Sequence, residues 1–331
     1  MGGLVGLAAL IVAAIAGLTG GVDHGAVIAL VELSVTAVAG GAVAAALAQG
    51  SQRRADGWQD YFGPSPFIAL LAWLALSTAG GLLLALIIDA LGLKLATSVE
   101  TVLIMVVNVA CYIGLIQVLV VRPGALSWSD MARPQHLAPD PSDWDEPSNW
   151  GGQAATTHGR KLGRLVGDVA LGLGLAIPML IGTLILVFIL TTLLGMQKVD
   201  YEGPVTVTTA WDVWILLLSV AILAPLGEEI FFRGFATNAW ARSLTRTAAI
   251  PLAAVFFASI HVINVDITGH FDLSILVRAA FLAVASRIPV AWGLAWIYTR
   301  RRSIYASAAL HGTYNGCLIL LAWWALNYSN S

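Results

Sequence analysis

Apolar runs of about 20 residues recur along this chain, and each is long enough to cross a hydrocarbon core of about 30 Å. Nine can be drawn, at 4–22, 26–48, 67–90, 98–121, 165–194, 213–240, 247–264, 275–299 and 303–326. Runs that do not alternate apolar with polar residues must satisfy their own backbone hydrogen bonds in lipid, so they are helices and not barrel strands. The expected fold is therefore all-α, a polytopic membrane helix bundle. Composition agrees: 11% of residues are charged, against about 25% in soluble proteins.

Lys and Arg collect in cytoplasmic loops of membrane proteins. Loops 49–66, 122–164, 241–246 and 300–302 hold twelve of the seventeen basic residues. The intervening loops hold only Lys94 and Lys198, while Arg233, Arg278 and Arg287 fall inside apolar runs. Nine helices put every basic loop on one side, which predicts a cytoplasmic N-terminus. Trp211, Trp214, Trp323 and Trp324 then fall near outer helix ends and Trp240 near an inner one, as interfacial aromatic belts require.

The first run has no Lys or Arg before it and so lacks the basic start of a signal peptide; it reads as an uncleaved anchor. Cys111 and Cys317 both lie in apolar runs, so reduced cysteines are expected, with no disulfide framework. Residues 122–164 form one long polar loop with an acidic, proline-rich centre at 139–147. The chain thus divides into a four-helix membrane region at 1–121, this loop, and a five-helix membrane region at 165–331. Glu32 is the chief charge inside the first region, which reads as scaffold. The stretch Val205-Thr206-Val207-Thr208 suits an extended outer loop. A net charge of −2 identifies no partner beyond membrane lipid, and no nucleic acid is expected.

Against this apolar background the last third carries three spaced polar groups: Glu228-Glu229-xxx-Arg233, Phe257-xxx-His261 and His311-xxx-Asn315. An ionised side chain at the bilayer centre costs roughly 2.5 to 3.5 kcal/mol on insertion scales, so such groups need partners or an aqueous cavity. Glu229 and Arg233 are four residues apart and share a helix face in the favourable acid-first order. Glu228 points about 100° away from Glu229, and a carboxylate free of the Arg in a poorly solvated place suits proton abstraction from water. Pro225 and Gly227 weaken the helix just before it. A buried structural ion pair accounts for Glu229 and Arg233 but not for Glu228.

Phe257 and His261 lie one turn apart, as do His311 and Asn315. An isolated histidine in an apolar helix is commonly a hydrogen-bonded core residue, whereas an amide beside an imidazole can stabilise an oxyanion. At about 1.5 Å of rise per residue, Glu228 lies about 18 Å deep, His261 about 21 Å, His311 about 13 Å and Asn315 about 19 Å. One layer can therefore hold all four.

These three groups, in this order on successive membrane helices, resemble the CAAX-protease and bacteriocin-processing (CPBP, or Abi) family of intramembrane endopeptidases. Leu226 to Gly234, LGEEIFFRG, resembles the family's first motif, and residues 302–315, RSIYASAALHGTYN, the approach to its last. The resemblance covers about residues 211–325. It implies peptide-bond hydrolysis in a membrane cavity open to the cytoplasm, with Glu228 as general base, His261 as its partner, His311 and Asn315 on the oxyanion, and Glu229, Arg233 and Phe257 in support. The family is commonly called metalloprotease. No cofactor is expected here, the alternative being one divalent metal, zinc, on Glu228, His261 and His311. The chain has no HExxH of the zincin kind and no GxSxG serine motif.

A chain rich in small residues with short loops points to a bacterial cytoplasmic membrane and to a peptide or membrane-protein substrate, prenylated CAAX processing being the eukaryotic use of the fold. Two other classes fit the polar groups: a non-catalytic scaffold or accessory subunit of a membrane complex, and a proton or ion transporter using them as a relay. The paired broken helices of transporters are not evident in the sequence.

Overall fold

The structure, a computed structural model, describes residues 24–134, 158–196, 209–264 and 273–328. The expected first helix at 4–22, the acidic loop centre at 139–147 and the stretch at 205–208 lie outside these residues. The described residues are helical and contain no strand. Seven helical spans among them are long and apolar enough to cross a membrane. The final helix, 25 residues long, is not among the seven; it carries His311, Tyr314 and Asn315, which lower its mean hydropathy.

The chain divides into two compact units, residues 1–128 and 129–331. In the first, α1 (His24–Ala55) packs against α2 (Pro66–Ala90), which leads into α3 (Thr97–Val121). Val35 and Ala39 meet Ala75 and Ala79 across the first pair, small side chains that let the helices approach without a hydrophobic driving force from water. Trp73 of α2 stacks on Tyr112 of α3 with centroids 4.3 Å apart. Pro66 opens α2 in the first turn, where its missing N–H costs nothing.

The second unit begins with most of the short helix α4 (Trp128–Ala132), followed by α5 (His158–Leu193), α6 (Ala210–Ser243) and α7 (Arg246–Ser259), which ends in a 3₁₀ turn at Ile260–Asn264. The remaining helices are α8 (Leu273–Ala285), α9 (Ile288–Arg301) and α10 (Ile304–Tyr328). The run at 275–299, expected as one helix, is broken at Ser286 and Arg287. Pro289 sits in the first turn of α9, and lacking an N–H it cannot continue the hydrogen-bond ladder of α8.

Helix α10 is central. It packs along α5 and α9 through Ala176, Leu180, Val290, Leu294, Ile297, Ala306, Leu310 and Tyr314. A Cβ at Gly172 would collide with the Ala306 carbonyl of α10, so only glycine permits this approach. Trp211, Trp214 and Trp324 are exposed, whereas Trp240 is buried edge-on against Phe256 at 5.1 Å and belongs to the core.

Candidate active site

The site is built on α6, whose 34 residues depart from regular α geometry twice. The stretches Leu217–Leu223 and Glu229–Thr237 are π-helical, with i→i+5 bonds that shift the azimuth of everything after them. The first has a consequence for the site. The Ala224 N–H reaches back to the Ser219 carbonyl, so in the same register the Val220 carbonyl would need the N–H of residue 225, which is proline. Nδ2 of Asn315 supplies the missing donor, 2.9 Å from the Val220 oxygen. One of the two Asn315 amide N–H groups is thus committed to the backbone of α6.

Glycine brings α10 within reach. A Cβ at Gly312 would lie 2.6 Å from the Ala221 carbonyl oxygen, and one at Gly316 would lie 3.6 Å from the Ala221 Cβ. This Gly-xxx-Gly stripe lets the two backbones touch and delivers His311, the neighbour of Gly312, onto the glutamates.

His311 stands between them. Its Nδ1 is 2.9 Å from Glu229 Oε1, and its Nε2 is 3.6 Å from Glu228 Oε2. Glu229 Oε1 also pairs with Arg233 Nη1 at 3.2 Å, both side chains being 1% exposed. Glu228 is 20% exposed, and this difference separates the two acids: one is locked by an arginine and a histidine, the other opens to space. An ionised Glu229 can only accept from Nδ1–H, so direct pairing of Nε2 with Glu228 needs one proton between them, on the imidazole or on the carboxyl.

Phe257 is the hub of the apolar side of the site. Its ring lies 4.2 Å beneath the Arg233 guanidinium and packs edge-on to both His261 and His311, at centroid distances of 5.0 and 5.6 Å. Phe232 holds it in place at 5.1 Å. His261 donates Nδ1 to the Phe257 carbonyl at 3.0 Å, the bond of a core histidine, and this leaves Nε2 as an acceptor. The sequence expectation paired Glu228 with His261, but the imidazole within 3.6 Å of Glu228 is that of His311.

Arg287 was not expected at the site. It lies at the α8–α9 break, close enough to act electrostatically on both Glu228 and His261. One turn later on α9, the Ala291 carbonyl lies 3.5 Å from Arg233 Nη2. The readable signal was an arginine inside an apolar run two residues before a proline.

His311 and His261 each have Nδ1 engaged, by Glu229 and by the Phe257 carbonyl, which leaves Nε2 on each as the atom that could meet a metal. Among the described residues no three His, Cys, Asp or Glu side chains converge as metal ligands.

Residues 210–317 match the family model described as type II CAAX prenyl endopeptidase Rce1-like. The match supports the CAAX-protease family for this segment. The matched CAAX-protease segment begins with α6 and ends within α10, so it contains every group described above. No curated protein and no solved structure matches the chain.

Proposed function

We propose that this segment hydrolyses a peptide bond within the membrane, with Glu228 activating the attacking water. The observation that carries the reading is the Glu229–His311–Glu228 arrangement, in which a locked acid orients an imidazole toward an open one. Glu228 takes a proton as the water oxygen attacks the scissile carbonyl carbon, and the carbonyl oxygen becomes an oxyanion. Collapse of that intermediate breaks the C–N bond, and the leaving amine takes the proton back from Glu228. His311, as the imidazolium held by Glu229, presents Nε2–H to the same space and stabilises the developing charge, while Asn315 fixes α10 on α6 and offers its second N–H. His261, with Nε2 as acceptor, is a further proton acceptor in the same layer. No step passes through a metal.

The substrate is a peptide or membrane-protein segment reaching the cavity from lipid, and the setting that fits the sequence is a bacterial cytoplasmic membrane. Purified protein in liposomes, presented with quenched fluorescent peptides, tests the mechanism. Cleavage should survive a chelator and disappear in Glu228→Gln; chelator-sensitive cleavage restored by zinc contradicts the metal-free route.

A further inference from the structure

The loop joining α1 to α2 borders a cavity in the N-terminal unit that the peptidase reading does not use. It encloses about 420 Å³, within the range of small-molecule sites. Ala46, Leu47 and Leu119 supply an apolar wall, and Ser51 and Arg54 supply the polar part. The Arg54 guanidinium donates to the Pro123 carbonyl and lies 4.6 Å over the Phe62 ring. Its neighbour Arg53 donates to the Gly63 carbonyl at 2.7 Å and lies 4.8 Å over the exposed Trp58 ring.

Both cations therefore have neutral partners. Among the described residues neither meets a carboxylate, and Asp56 and Asp60 in the same loop are exposed and paired with neither. A carbonyl uses one of the five N–H donors of a guanidinium and cancels none of its charge, so each arginine keeps bidentate capacity for a phosphate. An apolar wall beside uncompensated cations is the complement of an amphiphile. The place is right too: Arg53 and Arg54 end a membrane-length helix next to an exposed tryptophan, the pattern of a membrane interface.

We infer that this cavity holds an anionic phospholipid, with the headgroup phosphate on Arg54 and Arg53 and the start of an acyl chain against Ala46, Leu47 and Leu119. The test is independent of peptidase activity. The full chain is placed in phosphatidylcholine nanodiscs with and without phosphatidylglycerol, and retained lipid is read by native mass spectrometry alongside the unfolding temperature. Wild type should retain phosphatidylglycerol over phosphatidylcholine and unfold at a higher temperature when it is present. Arg54→Met should weaken that preference about fivefold, the factor for one cation near an anionic headgroup. Arg54→Lys should restore most of it, and Lys94→Met, which removes one positive charge elsewhere, should leave it unchanged. Equal retention of the two lipids by wild type overturns the inference without any variant. So does an Arg54→Met protein with wild-type preference, or equal stabilisation of wild type by inorganic phosphate, which would assign the cavity to a soluble anion.

Discussion

Asn315 Nδ2 lies 2.9 Å from the Val220 carbonyl oxygen, in the register where Pro225 leaves that carbonyl without a helical donor. The amide thus closes a gap that the proline opens, and the π turn, the proline and the asparagine form one device that locks α10 onto α6. Asn315→Ala should cost about 1–2 kcal/mol, the upper range for hydrogen bonds between membrane helices. Pro225→Ala returns an N–H to the ladder, so the cost of Asn315→Ala should shrink in that background. A double-mutant cycle on unfolding in detergent measures this coupling; strictly additive effects would contradict it.

Gly312 and Gly316 make a graded prediction. At Gly312 an alanine methyl would meet the Ala221 carbonyl, which is backbone and cannot rotate away, so α10 must shift and carry His311 off the glutamates. Gly312→Ala should therefore cost about 1–3 kcal/mol, as overpacking does, and lower peptidase activity. At Gly316 the methyl makes ordinary contact, and Gly316→Ala should leave both nearly unchanged. Thermal unfolding of the two variants side by side decides it.

The buried Glu229–Arg233 pair predicts an asymmetry. Arg233→Met leaves an uncompensated carboxylate and should destabilise by about 3–5 kcal/mol. Adding Glu229→Gln to that variant should recover much of the loss while activity stays low, because His311 has then lost the acid that orients it. Denaturant unfolding and peptide cleavage are read on the same preparations; a double variant with restored activity would contradict the orienting role of Glu229.

Much of this was legible in the sequence because lipid makes polarity costly. The apolar runs gave an all-α membrane bundle, and the three spaced groups pointed to the residues of the matched segment. Depth along a helix follows from counting residues, so Glu228 and His311 could be placed in one layer. Rotation about the helix axis could not be read the same way. It depends on the π turns of α6, which lie on either side of Pro225, and on Gly312 seating against Ala221, a contact between residues 91 positions apart. For that reason counting placed Glu228, His261, His311 and Asn315 in one layer without showing which imidazole stands nearest Glu228, which in the structure is that of His311. The break at Ser286 and Arg287 was overlooked for a simpler reason: hydropathy runs unbroken through Pro289, and only its missing N–H marks the end of a helix.

The central claim is that Glu228 is the base while Glu229 holds the geometry. A proteomic comparison of membranes carrying wild-type and Glu228→Gln protein, at matched expression and folding, tests it most directly. The account predicts that one or more membrane proteins or peptides accumulate uncleaved with Glu228→Gln, with the new termini seen in wild type absent. Identical termini in both membranes, with the wild type shown to be folded, would contradict it.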